Sequence, residues 1–132
     1  MARRPDRLDA LAAEIDQAGG TALVVDADIT DRTQAEAAVQ QTAERFGGLG
    51  TLVNNAGLML LGPVVGADTQ ECDRMLASNA QGLLSTTRAA LPQLLEAAEQ
   101  GPRRVADIVS ISSIAGRGGW NGYGVYSLTR SA

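Results

Sequence analysis

The chain has 132 residues, 45% of them hydrophobic, and a net charge of −4. That is one domain at most, and no apolar run approaches the roughly 20 residues of a membrane span. Histidine and lysine are absent and all eleven basic residues are arginine, which excludes a Ser-His-Asp triad, His-ligated metal sites and Schiff-base lysines; no metal is expected. The acidic balance argues against a nucleic-acid surface. One cysteine, Cys72, excludes an internal disulfide and fits a reducing, cytoplasmic location, and no secretory leader is expected.

Residues 5–18 read as a helix. Pro5 suits its first turn, Leu8, Leu11, Ala12 and Ile15 recur at helical spacing, and Gly19-Gly20 ends it. The apolar run 21–25 reads as a buried strand. Asp31 can cap a second helix with the stripe Ala35, Ala38, Val39, Thr42 and Phe46, stopped by Gly47-Gly48. Residues 51–53 form a second apolar run, breaking at Asn54-Asn55-Ala56-Gly57. Asp68 and Glu71 resemble a capping box for a helix through Met75 and Leu76. A separate helix is expected over 80–99, with Leu83, Leu84, Leu91, Leu94 and Leu95 apolar and a bend at Pro92. Residues 105–111 read as a third strand, and a last helix begins near Tyr126. Alternating helices and strands predict an α/β fold with parallel strands buried on both faces.

Open parallel sheets bind ligands beyond the carboxyl ends of their strands. Here those ends carry Asp26 and Asp28, then Asn54 to Gly57, then Ser112 and Ser113. Turn-forming preference alone accounts for any one of them; agreement among three weakens that explanation.

The run Leu52-Val53-Asn54-Asn55-Ala56-Gly57 resembles the Asn-Asn-Ala-Gly signature of the classical short-chain dehydrogenase/reductase family. Asp28-Ile29-Thr30-Asp31 is similar to its adenine-side motif, Asn79 to its helix asparagine, and Ile111-Ser112-Ser113 to its serine motif. Tyr126-Ser127-Leu128-Thr129-Arg130 matches Tyr-x-x-x-Lys with arginine in place of lysine, thirteen residues after Ser113. The resemblance implies a Rossmann-type doubly wound parallel sheet over 1–132, with three of the family's strands and no second domain. It implies a central portion of that fold, without the Gly-rich first turn that seats a pyrophosphate and without the last strands. The family's first two strands would lie between the runs at Thr21 and Thr51.

The roles follow from that resemblance. Tyr126 would be the general acid/base in hydride transfer between NAD(P) and an alcohol/ketone substrate. A phenol ordinarily keeps its proton to about pH 10, and Arg130, one turn on, would supply the cation that helps it ionise. Arginine is not a conservative replacement for the family's lysine, so reduced activity is expected. Ser113 would hold the reacting oxygen, with Ser112 structural, and Asn79 would support a water-linked proton path. Asp28 and the backbone of Ile29 would hold the adenine, while Asn55, Ala56 and Gly57 would let the cofactor approach the backbone. Arg3 and Arg4 would pair with a 2′-phosphate, which points to NADP rather than NAD. The family's apolar helices form subunit contacts, so a homo-oligomer is expected.

Plainer alternatives stand beside these: a packed tyrosine with a wet hydroxyl, a surface arginine at 130, a helix-junction cap at Asn79, and a solvated pair at Arg3-Arg4. Tyr123 is assigned to packing and Cys72 to a small buried hydrophobe. A second reading takes the chain as a degenerate, non-catalytic family fragment with an association role; isolated residues 1–132 are expected to bind NADPH poorly and to turn nothing over. A third, a sugar-nucleotide epimerase of the extended branch, is disfavoured by the Asn-Asn-Ala-Gly run.

Overall fold

The computed structural model describes residues 5–131. Helix α1 (Pro5–Gln17) ends where Gly19 takes a φ of +83°, a left-handed turn that favours glycine. Its stripe is poorly covered: Leu8 and Ala12 are half-buried, whereas Leu11 and Ile15 are exposed. Helix α2 (Arg32–Phe46) starts on Asp31, whose carboxylate accepts from the Thr33 and Gln34 amides. It stops at Gly47, where φ is +75° and the amide donates to the Ala43 carbonyl. Ala35, Ala38 and Val39 are its buried face; Phe46, expected in that stripe, is exposed beneath the Arg45 guanidinium.

Strands β1 (Thr51–Asn54) and β2 (Asp107–Ser110) form a parallel pair, with Thr51 opposite Asp107 and Asn54 opposite Ser110. This is the α/β, Rossmann-type arrangement the sequence predicts, with two corrections. The run 21–25 makes no ladder, only a bridge at Asp26, so the described sheet has two strands and not three. Apolar residues alone do not make a strand; a backbone partner about 4.8 Å away does, and an open trough separates residues 27–30 from β1. Nor are the strands buried on both faces: Val53, Ile108 and Val109 are all more than 40% exposed.

Asp68 caps α3 (Thr69–Leu76) by accepting from the Gln70 amide. The chain then winds through one wider π turn, Ala77–Gly82, straight into α4 (Leu83–Gln100). The two helices expected here are therefore one run, and the expected break falls on the π turn. Pro92 lies inside α4, where it removes one helical hydrogen bond. The buried face of this run is Gly82, Thr86, Ala90 and Leu94, one residue per turn, while Leu84, Leu91 and Leu95 are exposed. Small residues on that face let α4 lie close to α2 and the sheet: Ala90 and Leu94 pack with Val39, Leu49, Leu52 and Ala106. A second cluster joins Val25 and Ala27 to Ala38. Beyond β2, a short 3₁₀ turn (Ile114–Gly116) leads to α5 (Gly124–Arg130).

Candidate active site

Asn54 closes β1 with a buried side chain. Its Nδ2 donates to Thr87 Oγ1 at 2.9 Å and reaches Ser110 Oγ at 3.4 Å, tying β1 to α4 and β2. Residues 55–57, next in the chain, are exposed. They line a trough of about 1100 Å³ whose other wall includes Ala27, Asp28, Ile29 and Thr30. The structure thus gathers Asp28, Ile29, Asn55, Ala56 and Gly57 around one cavity. The Asp28 loop is fixed locally: its Oδ1 accepts from the Thr30 amide and hydroxyl at 3.0 and 2.9 Å. Its own amide donates to Gln34 Oε1 at 3.0 Å. Ile29 seats on the π turn, where a Cβ at Gly82 would come within 2.7 Å of Ile29 Cδ1.

Asn79 lies in that π turn, buried at 3% exposure. Its Oδ1 accepts from the Leu58 amide at 2.7 Å, and its Nδ2 donates to the Leu58 carbonyl at 2.8 Å and to Thr129 Oγ1 at 2.9 Å. One side chain therefore clamps the segment after Gly57 and reaches α5. π turns inside helices occur frequently at functional sites. The same segment is steadied by the Leu60 amide, which points at Met75 Sδ at 3.4 Å.

Helix α5 docks against the end of β2. Ser112 Oγ donates to the Arg130 carbonyl at 2.8 Å, and Ser131 Oγ to the Gly116 carbonyl at 3.2 Å. The Ser113 hydroxyl accepts from the Ala115 amide at 3.2 Å and caps the 3₁₀ turn. Arg130 is half-buried, not a surface arginine. Its Nη1 donates to the Ile111 carbonyl at 3.0 Å, and its Cζ sits 5.6 Å from the centre of the Tyr126 ring. Its Nη2 occupies the place a Cβ on Gly57 would take, 1.7 Å away. Arg130 Nε is buried with no hydrogen-bond partner. The half-buried Tyr126 ring meets Tyr123 edge-on at 6.4 Å, and Tyr123 meets Trp120 at 6.2 Å.

Two groups of predicted residues thus appear. The cofactor-side set surrounds the trough, and Ser112, Ser113, Tyr126 and Arg130 belong to α5 and the 3₁₀ turn. They meet where Arg130 rests on Gly57. Arg3 and Arg4 lie outside the described residues, and Cys72 is half-buried, less covered than expected. The sequence assigns no individual role to Asn54, Thr87 or Thr129, although Asn54 stands inside the Asn-Asn-Ala-Gly run and Thr129 inside the tyrosine motif. Hydrogen bonds from the Gln34 side chain, then from the Gln34 and Thr33 amides, hold the Asp31 carboxyl below its ordinary value. No helix among the described residues is long and apolar enough to cross a membrane.

A profile described as short chain dehydrogenase matches residues 1–132. An uncharacterized oxidoreductase of Staphylococcus aureus strain MRSA252 is 30% identical over 130 residues, 98% of this chain and 53% of that protein. An NADH-dependent reductase solved with NAD superposes with a TM-score of 0.88 and 30% identity, covering 98% of this chain and 55% of that one. A short chain dehydrogenase of Burkholderia cenocepacia J2315, solved with NADP, gives 0.86 and 30%, covering 100% of this chain and 51% of that one. The chain spans about half, or less, of the length of the curated relatives it matches. With the signature residues set at the strand ends and the family profile running from Met1 to Ala132, the chain belongs to the short-chain dehydrogenase/reductase family.

Proposed function

We propose that this chain carries the nucleotide-side wall and the proton-transfer residues of an NAD(P)-dependent alcohol/ketone oxidoreductase. The observation that carries the reading is Arg130. One guanidinium touches the Gly57 turn at the trough, holds the end of β2 through Ile111, and lies over the Tyr126 ring. Cation, phenol and trough thereby share one neighbourhood.

The residues fit a dinucleotide. The trough is lined by both signature turns, Asp28-Ile29 and Asn55 to Gly57. Its floor at Ala56-Gly57 is small and exposed, and Arg130 Nε is a buried donor without an acceptor. Asp28 and the Ile29 amide would hold the adenine, Asn55 to Gly57 the central part, and Arg130 a ribose hydroxyl. When bound, the nicotinamide supplies the hydride. In ketone reduction the Tyr126 hydroxyl gives its proton to the substrate oxygen, and Arg130 stabilises the phenolate left behind. Ser113, whose hydroxyl proton is not used by the Ala115 contact, donates to that same oxygen. Alcohol oxidation reverses these transfers. The Asn79 side chain is committed to Leu58 and Thr129, so a water-linked path there would run through the main chain of the π turn.

Arg3 and Arg4 favour NADP over NAD on sequence grounds. The exposed stripe Leu84, Leu91 and Leu95 on α4 supports a homo-oligomer, and the lone Cys72 supports a reducing, cytoplasmic setting. The test is NADPH oxidation, with a panel of aliphatic and aromatic ketones, by a purified protein in which residues 1–132 stand within a full-length family fold, expected to saturate with ketone and to vanish in Tyr126→Phe. Turnover unaffected by that substitution would overturn the proposal. A second reading is favoured by the uncovered sheet, with Val53, Ile108 and Val109 exposed: there the chain serves association and not catalysis. Failure to bind NADPH, with concentration-dependent self-association, would select it.

A further inference from the structure

We propose that Thr129 is a positioning residue for Tyr126, an inference that rests on the proton-transfer role assigned to Tyr126 above. Hydrogen bonds and packing around α5 (Gly124–Arg130) decide where the tyrosine stands. Three described hydrogen bonds tie it to one side, the end of β2 and the 3₁₀ turn: Ser112 to Arg130, Arg130 to Ile111, and Ser131 to Gly116. Toward the π turn, Thr129 accepts from Asn79, and just before the helix the Gly122 carbonyl accepts from the Gly62 amide at 2.9 Å.

That hydroxyl is used twice. Thr129 Oγ1, on a residue only 6% exposed, accepts from Asn79 Nδ2 at 2.9 Å and donates to the Tyr126 carbonyl at 2.8 Å. A threonine bonding back three residues is ordinary helix behaviour. What is unusual is that the same oxygen also receives the Asn79 amide, which grips the Leu58 backbone through its other contacts. The result is a polar chain from the segment after Gly57, through Asn79 and Thr129, to the backbone of Tyr126. Without the hydroxyl, the side-chain tie between α5 and the π turn is lost, and the backbone of Tyr126 can shift about the Arg130 contacts, carrying the phenol away from the trough.

Thr129→Val keeps shape and removes the hydroxyl. Asn79 Nδ2 retains its bond to the Leu58 carbonyl, so the clamp on that segment survives; Thr129→Ser keeps both bonds. Thr129→Ala is a second hydroxyl-free variant should valine fail to fold. The chain has only two tyrosines, so ¹³C-tyrosine labelling gives two ring signals, assigned with Tyr126→Phe. Well below the melting temperature, the valine and alanine variants should shift or broaden the Tyr126 signal more than that of Tyr123, with serine matching the parent. In turnover, kcat should fall on the order of tenfold or more in both hydroxyl-free variants, with KM for NADPH within about twofold of the parent and serine restoring the rate. An unmoved Tyr126 signal in both hydroxyl-free variants, or a serine variant as slow as valine, overturns the positioning role. If the parent shows no Tyr126-dependent turnover, the reaction assignment fails by itself and the tyrosine spectra alone decide the role of Thr129.

Discussion

Asn79→Ala removes the most heavily committed polar side chain of the site. Three hydrogen bonds go with it: two to the Leu58 backbone and one to Thr129. At about 1 kcal/mol net for each bond, the cost is about 3 kcal/mol. Thr129 is buried while Leu58 is half-buried, so water recovers part of the Leu58 loss and keeps the total near that figure. For a chain of this length, 1 kcal/mol moves the melting temperature by about 3–5 °C, giving a drop of about 10–15 °C. The assay is urea unfolding read by circular dichroism and Trp120 fluorescence, with the exposed Asn55→Ala as control. That neighbour in the signature should change stability by no more than about 0.5 kcal/mol. A loss below about 1 kcal/mol for Asn79→Ala would refute the clamp and leave Asn79 an ordinary residue of a helix junction.

Gly57→Ala places a methyl group on Arg130 Nη2. It should displace the guanidinium, weaken its bond to Ile111 and lower kcat, whereas Gly50→Ala, with open space around its Cβ position, should leave the rate unchanged. Arg130→Lys should raise turnover by restoring the family's cation while lowering the melting temperature, because one ammonium cannot reach both Ile111 and Gly57; equal rates would show that the arginine costs nothing. Asp31 titrates below its ordinary value of 3.8 in the fold. The stabilisation from its ionised form is complete above that ordinary value and is lost as pH falls through the lowered one. In Asp31→Asn the helix stays capped but without the charge, so thermal melts across acid pH should lose this component of acid sensitivity. An identical acid limb in parent and variant would contradict the assignment.

Helical periodicity and caps were readable because each is a local matter. Asp31 and Gly47 bound α2 as their chemistry requires, and Ala35, Ala38 and Val39 face inward at helical spacing. The run 21–25 has β character, but pairing is not local, and among the described residues no strand of the sheet runs beside it. The π turn has no compositional sign, so Ala77–Gly82 looked like a gap between helices and not a widening within one. The signature residues at 28–29, 55–57, 79, 113, 126 and 130 were legible as a family pattern. Their joints were not. Arg130 lying on Gly57 and Thr129 bridging Asn79 to Tyr126 depend on residues far apart in sequence, and Thr129 sits at a position the tyrosine motif leaves open.

In the proposed reaction Tyr126 gives its proton to the substrate oxygen, and NADPH held by Asp28, Ile29 and residues 55–57 would supply the hydride. Ketone reduction with NADPH deuterated at the transferable position tests both halves together. Deuterium is expected on the carbinol carbon of the product, with a loss of roughly 100-fold or more in kcat for Tyr126→Phe. Unlabelled product, or a phenylalanine variant as fast as the parent, would contradict it.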